Sequence, residues 1–157
     1  ESNLGKHAKP TSSSFVALNT VYCQNGIFIL VDKNVEVKDT VFIHHITESS
    51  TQAFVNPRTL VVCEASSNFT FVDFYHASSG ANYFSTHTSE IVVAENAHVK
   101  HYKIQAEKEN AFGVITTEVA QSSNSTYDAA TFIFGGSLVR NNHHVRLFGQ
   151  NIESHLN

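Results

Sequence analysis

An asparagine precedes an alternating apolar–polar segment five times along the chain, at Asn34, Asn68, Asn96, Asn124 and Asn151. The spacings are 34, 28, 28 and 27 residues, so after one longer unit the period settles near 28. A repeat of this length marks a solenoid, in which no unit buries its own apolar face and each depends on its neighbours. Alignment on the asparagines assigns the faces. Val35, Phe69, Ala97, Ser125 and Ile152 lie one residue after them, and Val37, Phe71, Val99, Tyr127 and Ser154 lie three after. The position between holds Glu36, Thr70, His98, Thr126 and Glu153, polar every time. That is the period-2 pattern of a strand with one buried face.

Each unit closes in a similar way, with VVCEASS, EIVVAE, TTEVAQSS or VRLFGQ running up to the next asparagine, which predicts a second strand per coil. Stacked at a strand spacing of about 4.8 Å, such coils pair every backbone group with the coil above or below. The predicted fold is all-β, a right-handed parallel β-helix with about 28 residues per coil; the hand follows the general rule for parallel crossovers. Asparagine suits the coil corner because it tolerates left-handed backbone and its amide can bond the next coil's asparagine. Gly80, Gly113, Gly135 and Gly136 are expected at other corners. Cys63, five residues before Asn68, aligns with Ile91 and Val119 and is expected in the core.

At 157 residues the chain is one domain. Residues 1–14, ESNLGKHAKPTSSS, read as a polar lead-in, and residues 15–157 as the solenoid core. The extra length of the first unit is expected as an insertion around residues 47–59. The closing IESHLN resembles the opening of a further strand, so the chain reads as part of a longer stack whose open strand edges favour end-to-end self-association. The formal net charge of −4, without a cluster of Lys and Arg, speaks against nucleic acid as a partner. No apolar run approaches the roughly 20 residues of a membrane span, and no secretory leader opens the chain. Cytoplasm is the expected compartment, with Cys23 and Cys63 as reduced thiols.

Candidate chemistry is sparse. Ten histidines invite a metal site, yet the neighbours His44 and His45, like His143 and His144, must point to opposite faces of a regular strand. His98 and His101 also differ in parity, so any chelate would have to be built between coils. A buried Cys63 behaves as a small hydrophobe rather than a thiolate, and the same structural reading applies to Cys23. Asp73 and Asp128 could mark a carbohydrate-active enzyme, but their offsets from the preceding asparagine, five and four, make them face apart. No Walker loop, GxSxG elbow or HExxH is present. The sequons at Asn68 and Asn124 are explained by the coil turn. No catalytic, cofactor-binding or metal-ligating residue is therefore assigned, and the chain is not read as an enzyme.

The last coil, FIFGGSLVRNNHHVRLFGQNIESHLN, residues 132–157, resembles the signature stretch of the SufB/SufD family of iron–sulfur cluster assembly proteins. The similar features are an apolar strand before Gly135-Gly136, then Arg140-Asn141, a strand into Leu147, and Gly149 and Asn151. Upstream, GIFILVDKN with VEVKDTVFIHHI, and TLVVCEASSNFTFVDFYHA, look like the SufD core, so the resemblance runs from about residue 15 to the end. It implies a scaffold subunit acting with SufB-like and SufC-like subunits, SufC being the ATPase, with an iron–sulfur cluster held transiently by the full complex and no cofactor in this stretch. The RNN…LFGQN wording and the shortage of cysteine favour SufD over SufB. The family's SufC-binding region and junction residues lie beyond Asn157, so none is carried over. A carbohydrate-active β-helix enzyme and a structural or adhesive solenoid are the alternatives.

Overall fold

The computed structural model describes residues 4–49, 51–77 and 82–157. Among the described residues one helix, α1 (Ser14–Tyr22), precedes eleven strands: β1 (Gly26–Val31), β2 (Val41–Thr47), β3 (Ala53–Val55), β4 (Arg58–Cys63), β5 (Asn68–Ala77), β6 (Tyr83–Val93), β7 (His98–Ala106), β8 (Ala111–Ser122), β9 (Thr126–Ile133), β10 (Leu138–Phe148) and β11 (Glu153–Leu156). They form two sheets. The first runs β1-β4-β6-β8-β10, with β3 also on β6, and the second runs β11-β9-β7-β5-β2. Every pairing is parallel, so each coil gives one strand to each sheet, as the repeat predicts. The chain is a parallel β-solenoid of about four turns.

The corners explain the asparagines and correct one of them. Asn34, Asn96, Asn124 and Asn151 all have left-handed backbone, with φ between 53° and 63°, and in the second coil that place is taken by Ser66, φ 60°. Asn68 instead begins β5, opposite Glu36 and His98. Ser66 accepts the strained conformation because its N–H donates to Glu95 O at 2.9 Å, as Asn34 does to Ala65 O and Asn96 to Ser123 O. The register slips by two residues, an even number, so the inside and outside faces survive. Cys63 accordingly stacks on Val93, not on Ile91. The expected amide contact between corners is present where Asn151 Nδ2 donates to Asn124 Oδ1 at 3.2 Å.

The expected insertion at 47–59 is largely strand. β3 and β4 keep one register with β6, Ala53 opposite Tyr83 and Arg58 opposite Thr88. They are parted only by Asn56-Pro57, where proline has no N–H for the ladder. Relative to the second coil, the two extra residues of the first lie earlier, between the bridge Glu36–Asn68 and the pair Val41–Phe71, whose offsets differ by two; relative to the third, two more lie between β2 and β3, within the expected stretch. Of the glycines expected at corners, Gly80 lies outside the described residues and Gly113 is inside β8. Gly135 and Gly136 do turn the chain between β9 and β10. A Cβ on Gly135 would collide with the Glu107 carbonyl, and Gly136 has φ 101°.

The stretch expected as a lead-in and first solenoid residues is a docked segment with a helix. Ser13 caps α1, its hydroxyl accepting from the Phe15 N–H at 3.2 Å. Val16 is fully buried, Phe15 meets Phe84 edge to face, and Tyr22 meets Phe54 in the same way. Asn19 Nδ2 donates to the carbonyls of Pro57 and Thr86 at 2.9 and 2.6 Å. The solenoid proper starts at Gly26.

Inside the coils, Val61, Cys63, Phe69, Phe71, Ile91, Val93, Val99 and Val119 form an apolar core next to the corner row. A smaller cluster of Ala77, Tyr83 and Ala111 closes the far end. Polar side chains fill the space between.

Candidate functional site

That polar middle is built by alternation. Every second residue of β2, β5, β7, β9 and β10 points inward, and where the apolar run stops these positions hold His45, Asp73, His101, Tyr127 and His143. They bond in series across the stack. Asp73 Oδ1 is 2.9 Å from His45 Nε2, and Asp73 Oδ2 is 2.9 Å from His101 Nε2. His101 Nδ1 is 2.9 Å from the Tyr127 hydroxyl, which is 3.1 Å from His143 Nε2. Asp73, His101 and Tyr127 are at most 1% exposed. The rings are also stacked: His101 on Phe71 at 4.4 Å and His45 on Tyr75 at 4.4 Å, with His87 edge-on to Tyr75 and His45.

The electrostatics follow from burial and partners. Burial alone would raise the Asp73 carboxyl, but hydrogen bonds from His101 and His45 outweigh it and hold the group well below the usual carboxylate range. Burial keeps His101 and His87 below the ordinary 6.5, and it carries His143 down to about 3 with help from Lys103, His101 and His144. Lys103 is sealed inside as well. Burial lowers it to about 8 against the pull of Asp73; its Nζ donates to Thr117 Oγ1 at 3.0 Å and Asn141 Oδ1 at 3.4 Å. Asn141 in turn donates to Gln105 Oε1 at 2.7 Å.

A second buried cluster lies outside the coils, beneath the N-terminal segment. Glu90 accepts from the backbone N–H groups of Gly5, His7 and Ala8 at 2.8, 2.9 and 3.1 Å, and from Arg58 Nη2 at 2.9 Å. Arg58 also donates to Ala8 O and Thr20 Oγ1. In the next coil Glu118, stacked on Glu90, takes His144 and Arg146, and Arg146 donates to His7 O at 2.9 Å. Burial would raise Glu90, but these donors lower it. The cluster fastens residues 4–8 to the first sheet.

The candidates read from sequence fall out as follows. His44 and His45 face apart, as do His98 and His101. Asp73 is inside while Asp128 is outside, bonded to His155 at 2.7 Å, so no outer carboxylate pair exists between them. Cys63 is fully buried and its thiol is pushed up to about 12; Cys23 ends α1 and its Sγ reaches Asn25 O at 3.3 Å. Among the described residues no three His, Cys, Asp or Glu side chains are arranged to hold a metal ion, and no helix is long and apolar enough to cross a membrane.

The sequence family described as "SUF system FeS cluster assembly, SufBD core domain" matches residues 44–157, and the "SufBD protein N-terminal region" matches residues 1–43. The chain belongs to the SufBD family. It is 31% identical over 137 residues to the "Iron-sulfur cluster assembly SufBD family protein slr0076" of Synechocystis, covering 82% of this chain. It is 26% identical over 142 residues to "Protein ABCI7, chloroplastic" of Arabidopsis thaliana, covering 86%. The chain spans 30% of the length of each of these relatives. No solved structure matches it. The boundary between the two SufBD regions falls inside β2, so the N-terminal region here comprises the docked segment, α1, β1 and the first corner.

Sequence reasoning passed over the two buried clusters of this SufBD chain. For the inner one a signal was available: Asp73 shares parity with Phe69, Phe71 and Tyr75, which places an acid on the buried face. For the outer one there was none. Arg58, Glu90 and Glu118 stand at outward positions that become buried or covered only because a segment more than eighty residues away in sequence from Glu90 lies on them.

The shifts set the acid stability. Unfolded histidine takes up a proton near 6.5, whereas the buried rings of His87, His101 and His143 resist it, so the unfolded state gains protons that the folded state does not. Stability is therefore expected to fall as pH drops below about 6.5, and further as Glu90 and Asp73 protonate in the unfolded chain. Urea midpoints across that range check it; a midpoint flat from neutral pH through the histidine range contradicts the buried assignments.

Proposed function

We propose that the chain is a non-catalytic, SufD-like scaffold segment in iron–sulfur cluster assembly, working in a complex with a SufB-like subunit and the ATPase SufC. The supporting observation is the match of the SufBD core over residues 44–157, on a stack of coils in whose interior His45, Asp73, His101 and Tyr127 are bonded to one another. A scaffold needs a rigid body, and parallel coils with a continuous core provide one. The SufD reading draws on Arg140-Asn141-Asn142 and Leu147 to Asn151, and on the scarcity of thiols. Of two cysteines, Cys63 is buried with a raised pKa, which suits packing rather than sulfur or metal chemistry. No resident cofactor is proposed for this stretch. The cluster is cargo of the whole complex, and the cytoplasm is its proposed location.

The carbohydrate-active reading loses its carboxylate pair with Asp73 sealed inside. At the last coil, β10 and β11 each pair on one side only, and Leu147, Phe148 and Leu156 are exposed there. The chain by itself is expected to associate end to end through such edges, seen as a concentration-dependent mass in light scattering. The functional test is anaerobic co-purification of the full-length protein with SufB-like and SufC-like subunits, with iron and sulfide assayed. A stable three-component complex supports the reading; a protein that stays alone and free of iron and sulfide overturns it.

A further inference from the structure

Near the far end of the coils, three buried polar atoms make no hydrogen bond within the chain: Ser85 Oγ, Gln105 Nε2 and Glu107 Oε2. Buried polar groups in native proteins rarely go without a partner, because nothing then replaces the water they gave up. Two of the three converge on one place. Ser85 on β6 and Gly113 on β8 are opposite one another, and both are buried. A Cβ on Gly113 would stand 3.3 Å from Glu107 Oε2 and 3.4 Å from Ser85 Oγ, with no other group outside its immediate chain neighbours within 4 Å. The glycine thus leaves room between an acid and a hydroxyl that do not bond each other.

The surroundings hold both oxygens in position. Tyr83 Oη donates to Glu107 Oε1 at 3.1 Å, which fixes the carboxyl and turns Oε2 away from that bond. The turn at Gly135 lies against the Glu107 carbonyl, and on either side of that turn the N–H groups of Phe134 and Ser137 donate to Gln105 O and Ala111 O at 2.7 and 2.8 Å. Ser85 is opposite Val55 in the coil before and Gly113 in the coil after, and Gly113 is opposite Val139 in the coil beyond. The place therefore has coils on both sides and depends on neither end of the stack.

We propose that Gly113, Ser85 and Glu107 form an internal water site, in which one water molecule bridges Glu107 Oε2 and Ser85 Oγ beside the Cα of Gly113. An apolar cavity of this size stays dry, whereas two polar partners are enough to hold a water. Water also suits both of them. It donates to a carboxylate or accepts from a carboxylic acid, and toward a serine hydroxyl it does either. Two oxygens are too few for a hard metal cation, which takes about six or more. Burial raises the Glu107 carboxyl against the bond from Tyr83, which likewise favours a neutral ligand. The site requires nothing of the cluster-assembly reading.

The test is a high-resolution crystal structure of the full-length protein, beside structures of two variants. In the unsubstituted protein one density peak is expected within about 2.6–3.2 Å of both Glu107 Oε2 and Ser85 Oγ. In Gly113→Ala the methyl group takes the room and the peak should be lost. In the double variant Ser85→Ala, Glu107→Leu the lining becomes apolar, and the peak should be lost although the room remains. The unsubstituted protein decides the matter by itself if either variant fails to fold: the absence of a peak there, or a direct bond between Glu107 and Ser85, overturns the site. A peak that survives either substitution overturns it as well.

Discussion

Glu90→Ala is expected to destabilise the chain by about 3–5 kcal/mol, the loss typical of removing one member of a buried ion pair. The carboxylate is fully buried and meets four groups at once: Arg58 and the backbone N–H groups of Gly5, His7 and Ala8. Its removal leaves a guanidinium that is only 7% exposed without its counter-charge and orphans three backbone donors. The first effect should be local. Residues 4–8 should come off the sheet, opening the exposed Lys6 to trypsin at a protease level that leaves the parent chain intact. The double variant Arg58→Met, Glu90→Leu should recover part of the loss, because no unpaired charge remains. A denaturation midpoint within about 1 kcal/mol of the parent for Glu90→Ala would show that the segment is not held by this contact.

Phe71→Ala is expected to cost a similar amount, about 3–5 kcal/mol, for a different reason. Phe71 is fully buried in the middle of the stack, opposite Val41 in the coil before and His101 in the coil after. Its ring lies on Phe69 at 5.4 Å and on His101 at 4.4 Å. Parallel coils are held at fixed spacing by their ladders, so the cavity cannot be closed by moving one strand. Loss of the ring also removes the surface that orients His101 toward Asp73 and Tyr127. Urea unfolding should show the midpoint drop, and a loss of the ordered His101 resonance pattern should accompany it. A cost below about 1.5 kcal/mol would mean that the core repacks freely.

The two substitutions probe different layers of the same architecture. Phe71 tests the packing between coils that any solenoid requires, while Glu90 tests how the SufBD N-terminal region is fastened to the core. Because Phe71 and Glu90 sit on different sheets, one facing inward and the other outward, their effects should be close to additive.

Much of the solenoid was readable from period and parity. The period of about 28 residues identified the coil, and alternation along Phe69–Phe71, Ala97–Val99 and Tyr127 placed the buried face correctly, whereas Val35 on the first coil is exposed. Alternation survives an even slip, which is why assigning the second corner to Asn68 instead of Ser66 left the faces intact but shifted Cys63 by one inward position. The parity of His98 and His101, and of Asp73 and Asp128, was likewise readable, because it depends only on neighbours along one strand.

Other features depend on which coil lies on which, and a single strand does not carry that information. Local propensity favours asparagine over serine in left-handed backbone, yet Ser66 takes the corner because the coils on either side hold the register. Polar letters at residues 1–14 suggest a solvated lead-in, yet Glu90 gathers their backbone N–H groups from across the chain. The same holds for the His45–Asp73–His101–Tyr127–His143 series, whose members come from five strands in four coils. By itself the sequence determined the coil period, the inward and outward faces and the family, since these are written in spacing and alternation along the chain. Only the tertiary structure decided the corner at Ser66, the docking of the N-terminal segment and the bonding of the buried side-chain series, because each arises from hydrogen bonds between residues far apart in sequence.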